Sequence, residues 1–364
     1  MNALATCIQG LEEATLQELE THLHLPGRVS TPGVILFSPS TPESLSLFTY
    51  TSRSILGAGE LLNHFTFTTL EDLTTRIKQT SSTIIQGTFA VRCQRTGSHD
   101  FTSQDAEKIL GEHLHLTYHL SVNLTSPQYL IAILIRNNQC YVFLDYAGFN
   151  LHKRDYRIKA HPKSIPPTLA YCLLALSAWK PSQSLLDPFS RSGELCVEAA
   201  LTALGIPAGS HQEHKFQFTR FLSFTPPWHK SVQKKLSVFC VDPLYANLRD
   251  CQINAKLAGV EKAITFSRTD LDWLDTKFPE HSIDKIITHP PEHSGALTEK
   301  KAQELSNQLF YQAAYLLNDK GTITILTKKP EFFQKIAAAY TFTLIKAYTL
   351  TSQGSKILIF KKTP

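Results

Sequence analysis

From about residue 184 onward, short apolar runs alternate with stretches whose apolar residues fall on one helical face. That rhythm builds a parallel sheet wrapped by helices, because parallel neighbours must be joined by long crossovers. SLL (184–186) reads as a buried strand ending at Asp187, with ELCVEAALTAL (194–204) as the following helix. SVFCV (237–241) is a strand ending at Asp242. The next helix sets Leu244, Leu248, Cys251, Ala255 and Ala258 on one face and stops at Gly259. AITFS (263–267) precedes Asp270, and IDKIIT (283–288) runs into His289, Pro290 and Pro291. A helix over roughly 299–317 leads to the strand GTITILT (321–327), and FTLIKAYTLT with SKILIFKK forms a closing hairpin. Before residue 150 the pattern differs: alternating segments such as TFAVRCQ (88–94) and YLIAILI (129–135), between polar helical stretches, read as α+β.

The chain's 364 residues suit two or three domains. We place them at 1–55 (ferredoxin-like α+β), 56–150 (an RNA-binding module), 151–180 (a linker and the start of the next domain) and 181–364 (the Rossmann-like α/β domain). Seven cysteines, scattered and without a C-x-x-C pair, argue against a disulfide framework and a cysteine zinc site, and point to a reducing, cytoplasmic setting. The first twenty residues reach charges too early for a signal peptide, and no apolar run is long enough to span a bilayer, so no membrane association is expected. His113, His115 and His119, like His211 and His214, lack companions at ligand spacing, so no metal is expected. The formal charge of +5 permits a polyanionic partner without demanding one.

Ligands of parallel sheets bind beyond the carboxyl ends of the strands, near the switch in strand order. Asp187, Asp242, Asp270 and His289–Pro291 all fall at such ends. In LLDPFSRSGELCVEAAL (185–201) a strand-to-helix turn containing Ser192 and Gly193 exposes backbone N–H groups to an anion, or is simply a turn. Asp242 is placed to accept both hydroxyls of a ribose, or to cap the helix behind it. Asp270 suits an adenine amino group, or a turn. The two prolines of SIDKIITHPPEHSG (282–295) hold a stiff loop whose carbonyl groups face outward, which suits the orientation of an amine for methyl transfer, or is a structural bend.

Taken together and in order, these three segments resemble the motifs of RNA and DNA amino-methyltransferases, D-P-x-C-G-S-G-T in the first and N-P-P-Y or D-P-P-Y in the third. LDYAGFNLHKRDYR (144–157) is similar to the D-x-S-G-x-x-L-H-x-R-G-Y-R segment of bacterial ribosomal-RNA guanine methyltransferases. There it joins a THUMP domain to the methylase. Residues 205–230 resemble the same family's insertion, RTGSHDFTSQDAE (95–107) a THUMP segment, and CIQGLEEATLQELE (7–20) its opening. The resemblance implies a class I S-adenosylmethionine methyltransferase fold, with a mostly parallel seven-stranded sheet behind a THUMP-like, ferredoxin-like front end. It implies methylation of the exocyclic amine of guanine, in ribosomal (23S) RNA sooner than transfer RNA. On it, Asp187, Ser192, Gly193, Asp242 and Asp270 hold the cofactor, and His289, Pro290, Pro291 and Glu292 form the catalytic loop.

Four positions depart from the family pattern: Arg191 for glycine, Glu194 for threonine, His289 for asparagine or aspartate, and Glu292 for an aromatic residue. Glu194 would compete with the methionine carboxylate of the cofactor, or pair with Arg191. These changes leave an alternative open, a weakened or inactive methylase-fold RNA-binding or ribosome-assembly protein. In HKRDYRIKAHPK (152–163), Lys153, Arg154, Tyr156, Arg157 and Lys159 are expected to meet RNA, basic groups on phosphates and the ring on a base. Phe224 and Trp228 are read as local packing.

Overall fold

The computed structural model describes residues 1–80, 86–210, 212–226, 234–293, 297–351 and 354–363. The chain divides into two compact units, the first made of Met1–Cys7, Thr15–Leu151 and residues 212–226, the second of Ile8–Ala14 and most of the chain from His152 onward.

The first unit is built on one eight-stranded sheet. Its strands are β1 (Ala3–Cys7), β2 (Gly27–Thr31), β3 (Val34–Phe37), β4 (Ile55–Thr66), β5 (Thr88–Thr96), β6 (Ser121–Val122), β7 (Tyr129–Arg136) and β8 (Gln139–Asp145). They lie in the order β2-β3-β1-β4-β8-β7-β5-β6. With the helices Glu12–Leu23 and Pro42–Thr51, the first four strands follow the β-α-β-β-α-β order of a ferredoxin-like fold. β4 is long enough to pair β1 along its first half and β8 along its second, which fuses this region to the rest of the sheet. Residues 212–226 leave the second unit's run of sequence and pack here. Phe216 and Phe218 are fully buried beside Tyr50 and Phe149, and Phe224 lies edge-on to Tyr50 and Phe218. The packing role expected for Phe224 holds, whereas His211 and Trp228 fall outside the described residues. His113 and His115 bond backbone carbonyls of Thr80 and Leu120, and His119 caps its helix in a left-handed conformation.

The second unit is the α/β layer that the strand rhythm demands. Its strands are β9 (Leu185–Asp187), β10 (Val238–Asp242), β11 (Ile264–Arg268), β12 (Ile283–Thr288), β13 (Leu317–Thr327), β14 (Phe342–Leu350) and β15 (Ser355–Lys362). The sheet order is β11-β10-β9-β12-β13-β15-β14, parallel except for β15, which runs against both neighbours. Because successive strand residues face opposite ways, each strand feeds two cores. Leu185, Cys240 and Ile287 point into the layer made with helices Pro167–Leu176, Glu194–Ala203 and Tyr245–Leu257. Leu186, Val241 and Ile286 point into the layer made with Glu299–Leu316 and Pro330–Ala339. All six are at most 1% exposed, and burying side chains of this size stabilises the fold by about 1.5–3 kcal/mol each for the larger ones. β13 starts four residues before the expected Gly321, because Leu317 still pairs with Ile283. No helix among the described residues is long and apolar enough to cross a membrane.

Candidate active site

The strand order reverses between β9 and β12, and the carboxyl ends of both strands open at this switch point. β9 ends on Asp187, which is buried and accepts hydrogen bonds from the Thr288 hydroxyl (2.6 Å) and the Phe189 backbone (3.2 Å). Burial outweighs these bonds and pushes its carboxyl up to about 7. The turn that follows is tied down: Ser190 N–H donates to the Val241 carbonyl at 3.1 Å, and Gly193 N–H to the Ser190 carbonyl at 2.7 Å. Gly193 caps helix Glu194–Ala203 at φ +82°, and a Cβ there would sit 3.0 Å from the Cys251 sulfur. Only glycine satisfies both conditions.

Asp242 closes the same turn from β10. One oxygen accepts from the Arg191 backbone (3.0 Å), the other from the Leu244 backbone (3.0 Å) and the Asn247 amide (2.9 Å). It therefore organises two loops at once, and the oxygen facing Arg191 keeps a lone pair for a ligand hydroxyl. Asp270 stands exposed at the start of the short turn Leu271–Trp273, beyond the neighbouring strand β11.

Two of the four departures from the family pattern meet each other. Arg191 adopts φ +50°, a left-handed conformation that costs a non-glycine residue about 1–2 kcal/mol. The residue is only 8% exposed, and Nη1 donates to His289 Nδ1 at 3.0 Å. A guanidinium has no lone pair to give, so Nδ1 is the acceptor and the imidazole proton sits on Nε2. The ring also hydrogen-bonds the Lys163 backbone. Burial first, and the Arg191 charge second, hold His289 down at about 3, so it is neutral in ordinary conditions. With Nδ1 committed, His289 does not present the acceptor nitrogen expected of it. Glu292, in place of an aromatic, turns toward the end of β13 and accepts from the Thr327 hydroxyl and the Lys328 backbone. Pro290 between them is buried.

Glu194 is held by partners other than Arg191. It accepts from Arg157 Nε at 2.6 Å, from Ser164 at 3.0 Å and from Ser192 at 2.8 Å. One helical turn on, the fully buried Glu198 accepts from Arg154 at 3.4 Å and from the Tyr156 hydroxyl at 2.9 Å. Residues 154–157 thus buckle onto helix Glu194–Ala203 through two acid–base pairs. This corrects the RNA-contact expectation: Arg154 (6% exposed) and Tyr156 (3%) are interior, and Arg157 is engaged, leaving Lys153 and Lys159 on the surface. The buckle continues to Asn254, which the sequence reading overlooked. Its side chain is fully buried, accepts from the Lys159 backbone at 3.1 Å, and donates to the carbonyls of Lys159 (2.7 Å) and Ser192 (2.9 Å). A lone amide on the apolar face that holds Leu248, Cys251 and Ala255 was the available signal.

The site therefore gathers the carboxylates of Asp187, Asp242 and Asp270, a tied turn at a helix N-terminus and a Pro-Pro loop beyond the carboxyl ends of adjacent strands. Comparisons with known proteins identify the families of the two regions. The family described as RMKL-like, methyltransferase domain (UPF0020) matches residues 154–356, and the THUMP domain family matches 66–145. Over 99% of both chains, this one is 27% identical to the tRNA (guanine(6)-N2)-methyltransferase of Methanocaldococcus jannaschii. It is 26% identical to the enzyme of that name from Archaeoglobus fulgidus, over 92% of this chain and 84% of the other. Among solved structures, TrmN from Thermus thermophilus superposes with a TM-score of 0.75 at 23% identity, covering 100% of this chain and 99% of that one. SMU.472, solved in complex with SAH, superposes at 0.80 and 22%, covering 100% and 98%.

Proposed function

Because the chain belongs to the UPF0020 family of RMKL-like methyltransferase domains, we propose that it transfers a methyl group from S-adenosylmethionine to the exocyclic N2 amine of a guanine in transfer RNA. The observation that carries this reading is the delivery of Asp187, Asp242, Asp270 and the Pro290–Pro291 loop to the carboxyl ends of adjacent parallel strands. The donor set suits the adenosine part of the cofactor: the free lone pair of Asp242 accepts from a ribose hydroxyl, and the exposed Asp270 carboxylate from the adenine amine. When bound, the cofactor supplies an electrophilic methyl on a sulfonium. The chain supplies orientation. The buried, stiff Pro290 positions a carbonyl to accept one N–H of the amine, turning its lone pair toward the methyl. No strong base is needed before transfer, since the amine proton becomes acidic only after the nitrogen is alkylated.

A THUMP domain in the same chain supports RNA over DNA as the substrate. The expected preference for ribosomal RNA finds no support, because the full-length relatives are named for transfer RNA. A second reading, a methylase fold kept for RNA binding without catalysis, is favoured by one observation, the Arg191–His289 contact within the site. Incubating the protein with unmodified tRNA, ribosomal RNA or DNA and methyl-labelled cofactor separates these readings. N2-methylguanosine in the tRNA digest is expected; label confined to rRNA or to DNA adenine, or no label at all, rejects the proposal.

A further inference from the structure

The side chain of Arg191 crosses from the turn after β9 to the loop after β12, and these two loops frame the crevice at the switch point. Three features show that it is held there rather than resting there. Its backbone is fixed at both ends, the N–H on Asp242 at 3.0 Å and the carbonyl under the Cys251 thiol at 2.9 Å. Its φ of +50° is one that glycine adopts freely and arginine does not. Its end is buried against a ring whose Nδ1 it fills, while the same ring hydrogen-bonds the Lys163 backbone on the far side. Backbone strain of this kind persists only where surrounding contacts over-determine it.

We propose that Arg191 and His289 form a latch across the cofactor crevice, so that the latched state and the cofactor-bound state exclude each other. The proposal rests on the methyltransferase reading. A latch of this sort lowers apparent affinity by the fraction of molecules that are open. One charge-assisted hydrogen bond in a partly buried setting corresponds to a closed-to-open ratio of about ten to a hundred. Release also frees Nδ1 of His289 to face a base edge, so opening would prepare the cofactor site and the base site together.

Calorimetric titration of the full chain with S-adenosylhomocysteine and with S-adenosylmethionine tests this. Arg191→Gly removes the side chain and suits the left-handed backbone, so it should fold at least as well as the parent. His289→Ala removes the other half of the latch and guards against any effect peculiar to position 191. Both variants should bind both ligands about ten- to a hundredfold more tightly than the parent. Equal affinity in parent and variants overturns the latch alone. Tighter binding only of the cationic S-adenosylmethionine overturns it too, since charge repulsion, not obstruction, would then be at work. Failure of all three proteins to bind either ligand at millimolar concentration overturns the latch and the methyltransferase reading together.

Discussion

Replacing Glu198 by Gln keeps its volume and one acceptor for the Tyr156 hydroxyl, and removes only the charge that faces Arg154. The side chains of the pair are 3% and 0% exposed, so the guanidinium cannot turn to water without opening the helix–segment contact. Stripping one partner from a buried ion pair costs about 3–5 kcal/mol, because the remaining charge keeps its desolvation penalty and loses its compensation. For a unit of roughly 200 residues that is a fall in Tm of about 6–20 °C. Urea unfolding at pH 7, followed by circular dichroism, measures it directly. The double change Arg154→Met with Glu198→Leu should recover most of the loss, since an apolar pair of similar size replaces such a bridge at little cost. A loss below about 1 kcal/mol for Glu198→Gln would refute the argument, as would an Arg154→Ala variant whose main defect is a shallower salt dependence of tRNA binding.

Gly193→Ala should lose about 1–3 kcal/mol, combining a left-handed alanine with a Cβ 3.0 Å from the Cys251 sulfur; thermal melting checks it. Asp187 holds its proton up to about 7 in the fold, against 3.8 for the ordinary group, so the stability it contributes is complete below about pH 4 and is lost as pH rises through 7. The span amounts to about 4 kcal/mol, and Asp187→Asn should flatten the decline of Tm between pH 5 and pH 8; an unchanged slope would assign the titration to another group. Asp270→Ala should weaken S-adenosylhomocysteine binding about tenfold while leaving Tm unchanged, since the residue is exposed and its side chain makes no capping hydrogen bond to the turn it opens. A change in Tm without a change in affinity would reverse that assignment.

The strands of the α/β unit were legible because burial on both faces writes itself as short apolar runs, and the ends of those runs locate the crevice. Asp187, Asp242, Gly193 and the Pro-Pro loop sit where the strand ends put them. What stayed hidden was pairing across distance. Arg157 is expected at RNA, and Glu194 against a cofactor carboxylate or Arg191; the structure joins the two in one contact, between residues 37 positions apart. The same holds for Arg191 and His289, 98 positions apart. A run of basic residues looks the same in sequence whether its anionic partners are phosphates outside or glutamates inside. The insertion's aromatics told of packing but not of which core they would enter.

That excursion has a consequence for how the chain comes to be folded. Phe216 and Phe218 complete a core whose other members precede residue 152, and Leu11 and Ala14 belong to a core formed mainly by residues after it. Emerging from the ribosome in order, the first half must wait with an apolar hollow until its closing pair has been synthesised, and the first turn of its own opening helix is meanwhile promised elsewhere. Neither half is a module that a single cut could release, so splitting the gene near residue 151 would yield two pieces, each lacking a plug that the other carries.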